Sequence, residues 1–258
     1  MSKLGRSSNS KSNHMTVEVF SKWVKVQNQD LAIDAYLAKP KAVGTYPAVI
    51  VIQEIFGVNE HIRDITDRLA SEGYVAIAPA IYQRQAPGFE VGYKEEDVQR
   101  GRKYKVQTQK DELIGDIQAT IDYLYTLPEI KQEGVRTIGF CFGGHVVYLA
   151  ATLERIEATA SFYGAQIATW CPGEPQPTID YTKDIKGTIY AFFGTEDPLI
   201  PNEQTQQIET ELNKHQISHR VFRYEGATHG FMCDRRDSYN QQAARDAWTK
   251  VLDLFSKK

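Results

Sequence analysis

Long apolar segments alternate along this chain with segments of helical periodicity. The apolar segments are rich in β-branched and small residues, a pattern typical of strands buried on both faces of a parallel sheet. They cover residues 47–53, 74–79, 135–140, 158–164 and 188–194. The helical patterns cover residues 60–72, 111–127, 143–153, 202–214 and 239–256. Because strands that alternate with helices form βαβ crossovers, the pattern predicts an α/β fold with a mostly parallel central sheet and helices on both faces.

The beginning of the chain follows a different pattern. Charged and apolar residues alternate in parts of 17–26 and 31–38, which predicts an antiparallel leading edge with one face in water. Residues 83–110 are densely charged and too long for an ordinary connection, so they form either an excursion with a short helix or a lid. Residues 1–15 are polar and serine-rich. They are predicted to be a disordered leader, followed by a single domain at 16–258.

The composition narrows the class of protein. With 258 residues, 41% of them apolar and 24% charged, the chain has the length and balance of one soluble α/β domain. The net charge of −3 gives no basis for binding nucleic acid or anionic membranes. No segment approaches the roughly 18 consecutive apolar residues of a membrane-spanning helix. Three cysteines without a secretory signal predict free thiols and a cytoplasmic location.

Candidate chemistry lies where the strands end, because ligands of parallel sheets bind beyond the carboxyl ends of the strands. Cys141 lies in G-F-C-F-G, directly after the strand at 135–140 and before the helix at 143–153. This sequence has the form of the nucleophile elbow G-x-S-x-G, with cysteine in place of serine. Its glycines relieve the crowding between strand and helix. Cys141 is therefore a candidate nucleophile, and the alternative is a small buried cysteine in a tight strand-to-helix turn.

A thiol nucleophile needs a base, and α/β-hydrolases place the nucleophile, the acid and the histidine in that order along the chain. His229, after the strand at 218–224, and Asp197, in T-E-D-P, meet this order, with Glu196 as the immediate rival of Asp197. The remaining histidines are poorer candidates, because they fall in the leader, at helix positions expected to be exposed, along a strand, or packed within the elbow helix. His14 lies in the leader, and His61 and His215 lie at the helix positions. His219 lies along the strand, and His145 lies in the elbow helix.

Acyl transfer also needs backbone N–H groups that stabilise a negative oxygen. Phe142, directly after the candidate nucleophile, is expected to provide one of them. Ile55, in the loop after the strand at 47–53, is expected to provide the other. The start of the helix at 143–153 adds a dipole that favours a thiolate.

Six motifs, in the same order along the chain, resemble the dienelactone hydrolase family, the carboxymethylenebutenolidases of the α/β-hydrolase fold. They are V-I-Q-E-I-F-G-V-N, Y-Q-R-Q-A-P-G, G-F-C-F-G-G, S-F-Y-G, G-T-E-D-P-L-I-P and A-T-H-G-F, and they extend from residue 51 to residue 231. The resemblance therefore covers nearly the whole domain. It implies the α/β-hydrolase fold, hydrolysis of a lactone or carboxylic ester, and a triad of Cys141 as nucleophile, His229 as base and Asp197 as its orienting partner.

The resemblance also implies roles for three further residues. Glu54 matches a glutamate that contacts the resting thiol in the family and is displaced when substrate binds, which helps to generate the thiolate. Arg84 matches an arginine that binds the substrate carboxylate, for which a guanidinium is well suited. Tyr163 matches a tyrosine of the substrate pocket. The alternatives are a solvated glutamate at the mouth of the sheet, a surface arginine and a core tyrosine.

One position departs from the family pattern. Family members that act on dienelactone carry a second carboxylate-binding arginine four residues after the histidine, where this chain has Cys233. Arg235 and Arg236 are near and are candidates to substitute for it, but their spacing from His229 differs. Cys233 and His229 alone are too few ligands for a zinc site.

The sequence thus predicts hydrolysis of an ester or lactone through a cysteinyl acyl-enzyme, without a metal or organic cofactor. The expected partner is the small-molecule substrate, with no nucleic acid and no membrane. The protein is expected to be a monomer or a small homo-oligomer. The rival interpretation is a protein of the same fold that binds or senses a ligand and has lost catalysis, because a fold does not fix a function.

Overall fold

Eight strands form a single sheet in the computed structural model, which describes residues 17–257. The predicted leader at 1–15 lies outside the described residues. The strands are β1 (Val19–Asn28), β2 (Leu31–Pro40), β3 (Ala48–Ile52), β4 (Val75–Pro79), β5 (Val135–Phe140), β6 (Ile156–Phe162), β7 (Thr188–Gly194) and β8 (His219–Tyr224). Their spatial order is β1-β2-β4-β3-β5-β6-β7-β8. β2 pairs antiparallel with β1 and with β4, and all the other pairs are parallel. The predicted parallel sheet with an antiparallel leading edge is confirmed.

Helices cover both faces of this sheet, also as predicted. They are α1 (Glu60–Ser71), α2 (Glu95–Lys105), α3 (Lys110–Tyr125), α4 (Phe142–Ala150), α5 (Asn202–Lys214) and α6 (Gln241–Ser256), with a 3₁₀ helix at Thr178–Asp184. Apolar side chains of α1, α5 and α6 pack in one core, and those of α3 and most of α4 pack in the other. Within residues 17–257, no helix is both long enough and apolar enough to cross a membrane.

Burial follows the apolar pattern of the sequence closely. Every residue of β3, β4 and β5 is buried, whereas most positions of β1 are exposed or half-buried. β6 ends at Phe162, two residues earlier than the apolar pattern predicts. The reason is that Tyr163 adopts a left-handed φ of 36°, which turns the chain out of the sheet.

The charged segment 83–110 contains α2, which packs over the loop that follows β3. Gly101 of α2 lies so close to this loop that an added Cβ would overlap the carbonyl oxygen of Ile55. The hydroxyl group of Tyr82 donates a hydrogen bond to the Gly101 carbonyl oxygen at 3.1 Å. The segment thus contains a helix, as the first interpretation predicts, and the lid stays a prediction.

Candidate active site

Cys141 lies on the sharp turn between β5 and α4, with φ of 56° and ψ of −116°. This left-handed conformation is costly for a residue with a side chain and is held by surrounding structure. The Cys141 N–H group donates to the Phe162 carbonyl oxygen at 3.0 Å. An added Cβ would overlap the carbonyl oxygen of Ile52 at Gly143 and that of Phe162 at Gly144. The glycines of the motif are therefore required by the close approach of α4 to the ends of β3 and β6.

The turn presents Cys141 to a cavity of about 520 Å³. Cys141 is partly exposed, whereas Cys171 and Cys233 are buried. Partial exposure on a strained turn favours the nucleophile over the buried-thiol interpretation. The cavity wall is largely apolar, with contributions from Ile55, Phe56, Val98, Val106, Phe142 and Leu199. It also carries the cations Arg102, Lys105 and Arg236 and one carboxylate, that of Glu95.

His229 and Asp197 come together at this cavity from the loops that follow β8 and β7. The imidazole Nδ1 of His229 lies 2.7 Å from Asp197 Oδ2, and Asp197 Oδ1 accepts a hydrogen bond from the Leu199 N–H group at 2.8 Å. Both side chains are buried. The carboxylate is thereby fixed on one side by backbone and on the other by the imidazole, as an orienting partner must be.

The second nitrogen of His229 remains available for chemistry. Nε2 is buried and makes no hydrogen bond with the described residues. Burial lowers the pKa of His229, but the negative charge of a Cys141 thiolate and the hydrogen bond to Asp197 outweigh it and raise the pKa to about 10. Beside a thiolate, the imidazole is therefore protonated at neutral pH.

The rival residues lie in different surroundings. Glu196 is exposed to solvent, so Asp197 is the carboxylate that contacts His229. The expectation that His61 is exposed is wrong: it is 3% exposed, because its ring packs edge-on against Phe140. His215, also expected to be exposed, is half-buried and lies 3.3 Å from Glu211.

His145 packs within the elbow helix, as expected. Its Nδ1 lies 2.8 Å from the Ala165 carbonyl oxygen, and its Nε2 lies 2.6 Å from Thr178 Oγ1. Burial lowers the pKa of His145 to about 4, so the ring is neutral at neutral pH. Both nitrogens are occupied by structural partners, and neither is available to Cys141.

The two expected oxyanion donors lie beside Cys141 in the cavity wall. Phe142 is the first residue of α4, so its N–H group has no acceptor within the helix. The N–H group of Ile55 has no acceptor among the described residues. Two unused N–H groups at a nucleophile are the arrangement that stabilises a tetrahedral oxyanion.

Glu54 is fully buried and forms an ion pair with Arg236, which sequence reasoning did not assign to the site. Glu54 Oε1 accepts a hydrogen bond from Arg236 Nη1 at 3.1 Å, and Oε2 has no partner among residues 17–257. The Arg236 guanidinium lies over the rings of Tyr93 and Phe56, 5.3 and 5.7 Å from their centroids. The solvated-glutamate alternative is therefore wrong. No hydrogen bond joins Glu54 to Cys141 among the described residues.

Two consecutive turns bring Arg236 to a place that its spacing from His229 did not suggest. The Cys233 N–H group donates to Gly230 O at 3.0 Å, and the Arg236 N–H group donates to Cys233 O at 3.2 Å. The guanidinium then lies against Gly230, where an added Cβ would overlap Nη1. Cys233 itself is buried, with its thiol 3.3 Å from the Tyr93 hydroxyl group. The turn-forming residues after His229 indicate that the chain turns here, but they do not determine where the side chain of Arg236 points.

The two residues predicted to bind substrate, Arg84 and Tyr163, do not line the cavity. Arg84 forms a bidentate ion pair with Asp116 of α3, so its predicted role in binding a carboxylate has no supporting contact. Tyr163 is fully buried, with its ring centroid 5.1 Å from that of His229. It packs behind the histidine, and its hydroxyl group has no partner among the described residues. Within 17–257, no group of three or more His, Cys, Asp or Glu side chains could hold a metal ion.

Comparison with known proteins gives a consistent result. Residues 33–258 match the dienelactone hydrolase family. A Synechocystis sp. protein named "Putative carboxymethylenebutenolidase" is 61% identical over 241 residues, which cover 93% of this chain and 98% of that protein. A Bradyrhizobium sp. protein named "Probable 2-oxo-3-(5-oxofuran-2-ylidene)propanoate lactonase" is 30% identical over 234 residues, covering 89% of this chain and 91% of that protein. A Klebsiella pneumoniae crystal structure described as "Putative Dienelactone Hydrolase" has a TM-score of 0.85 at 28% identity, covering 93% of this chain and 100% of that one.

Proposed function

Since this chain belongs to the dienelactone hydrolase family, we propose that it hydrolyses a lactone or carboxylic ester through a thioester formed on Cys141. One observation carries the proposal. The thiol on the strained turn between β5 and α4 shares a cavity with a buried histidine, whose other nitrogen is held by a carboxylate. This is the combination of nucleophile, base and orienting group that acyl transfer requires.

In the acylation step, the Cys141 thiolate attacks the carbonyl carbon of the substrate, and the displaced electron pair moves to the carbonyl oxygen. The N–H groups of Phe142 and Ile55 donate to this oxyanion. The tetrahedral intermediate collapses, and the leaving alkoxide takes the proton of the His229 imidazolium. In a lactone the leaving group stays attached to the acyl chain.

In the deacylation step, neutral His229 takes a proton from water, and the resulting hydroxide attacks the thioester carbonyl. Collapse breaks the carbon–sulfur bond, releases the carboxylic acid and regenerates the Cys141 thiolate. Asp197 keeps the imidazole in the orientation and tautomer that both steps need. Once Cys141 has lost its proton, the thiolate raises the pKa of His229 and favours the imidazolium that the leaving group needs.

We assign the first proton transfer to Glu54. Its buried, unpartnered Oε2 is the candidate acceptor of the thiol proton, which it returns to Cys141 when the thioester is hydrolysed. Arg236 holds the other oxygen of this carboxylate. A substrate carboxylate that binds Arg236 competes with Glu54 for the guanidinium and releases Glu54 to accept the proton.

Acidic lactones are the favoured substrate class. The name of the Bradyrhizobium relative describes its substrate as a lactone that carries a carboxylate. In this chain Arg236 is the cavity arginine that contacts Glu54, and we assign to it the part that family members give to an arginine at the position of Cys233. The small-molecule substrate remains the expected partner, and the free thiols agree with the proposed cytoplasmic location.

The test is steady-state hydrolysis of phenyl acetate and a simple lactone by Cys141→Ala, with the buried Cys171→Ala as the matched control. Cys141→Ala should lower kcat/KM by about 10⁴-fold or more, because the covalent step is lost. Cys171→Ala should stay within about twofold of the parent enzyme, because this buried thiol is not part of the cavity wall. Equal rates in the two variants would contradict the proposal. A parent protein that binds carboxylates but hydrolyses no ester would support a binding function instead.

A further inference from the structure

Lys105 is a half-buried cation in the cavity wall that has no acidic partner. Its ammonium group contacts the side-chain oxygen of Gln166 and lies 4.8 Å from the ring centroid of Trp170 and 5.6 Å from that of Phe142. No carboxylate of residues 17–257 forms an ion pair with it. Among the charged groups that act on Lys105, the leading ones are the thiol of Cys141 and the guanidinium of Arg102.

The lack of an acidic partner is unusual for a partly desolvated charge such as that of Lys105. Arg84 and Arg236 are each paired with a buried carboxylate. Burial lowers the pKa of Lys105, which reflects the cost of removing its charge from water. Two aromatic rings and an amide oxygen fix the ammonium group in place without neutralising it. An anion that enters the cavity would recover the cost of this burial.

Lys105 and Arg236 are held in the cavity wall by different sets of residues. Arg236 is held by Phe56, Tyr93 and Glu54, on the side of the loop after β3. Lys105 is held by α4 and by residues that follow β6. The charge of Cys141 acts on both cations, whereas Glu54 acts prominently on Arg236 and not on Lys105.

We propose that Lys105, held by Gln166 and Trp170, is a second anion-binding position, for an acidic group of the substrate other than the one that Arg236 receives. The inference rests on the proposed function, because it describes the substrate of the same cavity. It identifies the substrate class as an ester or lactone with an acidic group on each side of the scissile carbonyl. Lys105 then determines specificity by binding, and the chemical step belongs to Cys141 and His229.

Three phenol esters test this position, because one carries no acid and the other two carry it on opposite sides of the ester bond. Phenyl acetate is neutral, monophenyl glutarate carries an acid on the acyl side, and 4-carboxyphenyl acetate carries one on the leaving group. The readout is the ratio of kcat/KM for each acidic ester to that for phenyl acetate. Lys105→Met should lower this ratio about tenfold for one acidic ester, as expected for a charge-assisted hydrogen bond. Lys105→Arg should retain most of the ratio, because the charge remains.

Lys103→Met is the matched control, since Lys103 is an exposed lysine of the same helix and is not part of the cavity wall. It should leave both ratios unchanged. Arg236→Gln should lower the ratio for the other acidic ester. The proposal is overturned if Lys105→Met matches Lys103→Met for both esters. It is also overturned if the Lys105 and Arg236 variants affect the same ester, because one carboxylate would then be shared.

A failure of the proposed function gives a different result. In that case the parent protein hydrolyses none of the three esters. The anion position is then tested by calorimetric binding of glutarate and 4-hydroxybenzoate. Lys105→Met should weaken the binding of one of them about tenfold relative to Lys103→Met. Equal binding by the two variants would overturn the second anion-binding position independently of catalysis.

Discussion

Two buried arginine–carboxylate pairs of this protein differ in what each pair leaves unsatisfied. Asp116 accepts hydrogen bonds from both terminal nitrogens of Arg84 and, at 2.7 Å, from Asn28 Nδ2, so both of its oxygens are used. Glu54 accepts only from Arg236, and its second oxygen is buried without a partner among the described residues. The complete pair lies away from the cavity, and the incomplete pair lies at it.

The difference indicates which polar groups are structural. A buried oxygen without a partner costs free energy, so a pair that only stabilises the fold is expected to be complete. The same contrast separates the two histidines near Cys141. His145 has partners at both ring nitrogens, whereas Nε2 of His229 has none. Unsatisfied groups around Cys141 are therefore candidates for contacts that form only when substrate binds.

Replacing the carboxylates tests this comparison with the largest expected effect. Glu54→Gln keeps the shape of the side chain but removes its ability to accept the thiol proton. We expect kcat/KM for the acidic ester that binds Arg236 to fall about 100-fold, within the usual range for loss of a general base. Asp116→Asn is the matched change at the complete pair and should leave kcat/KM close to that of the parent enzyme. Equal losses of activity would remove the distinction between the pairs.

Replacing the arginines is expected to give smaller effects. The Arg236 variant should change substrate preference, and the Arg84 variant should change the free energy of unfolding. Arg236→Gln should lower the preference for an acidic ester over phenyl acetate about 30-fold, because a desolvated charge is lost from the cavity. Arg84→Gln should not change this preference, but it leaves the buried Asp116 with fewer partners. We expect it to lower the free energy of unfolding by about 2 kcal/mol in urea denaturation, the usual cost of a buried acceptor that loses a partner. A change of preference in Arg84→Gln would restore the role that the family resemblance implies for Arg84.

The smallest expected effect concerns the two histidines, because they differ in the direction in which their pKa is shifted. The pKa of His229 is raised to about 10 by Cys141 and Asp197, against the effect of burial, whereas burial lowers that of His145 to about 4. The raised pKa of His229 contributes stability that is fully present below its ordinary value of 6.5 and is lost as pH rises through about 10. The lowered pKa of His145 contributes stability that is present above 6.5 and is lost as pH falls toward 4.

Imidazole titrations by nuclear magnetic resonance check both values. In Cys141→Ala the pKa of His229 should fall, since the charge that raises it is gone, and the pKa of His145 should stay low. An unchanged pKa of His229 would mean that the thiolate does not act on this ring.

Most of the fold could be predicted from the sequence, because it depends on burial, and burial is recorded in the apolar pattern. Strands buried at every position, such as β3, are continuous apolar segments, and the alternating segments became the antiparallel edge. The end of β6 was missed, because a positive φ at Tyr163 is a tertiary effect that overrides local strand preference. His61 was expected to be exposed, because a helix position alone does not show that Phe140 packs against it.

The site could be predicted only in part. Cys141, Asp197 and His229 follow strand ends, so the topology alone brings them to one edge of the sheet. Arg236 depends on two turns that redirect its side chain, and Lys105 depends on how α2 docks on the loop after β3. Arg84 matches a family motif, but its ion pair with Asp116 of α3 depends on long-range packing. Residues positioned by tertiary contacts are those that local pattern does not reveal.

If Cys141 becomes a thioester during turnover, the acyl-enzyme can be trapped. Mixing the parent protein with excess phenyl acetate, quenching in acid within the first turnover, and measuring the intact mass and its peptides tests this directly. We predict a gain of one acetyl group, located on the peptide that contains Cys141, cleaved by hydroxylamine and absent from Cys141→Ala. Turnover without acetylation, or an acetyl group located on another residue, would contradict the account.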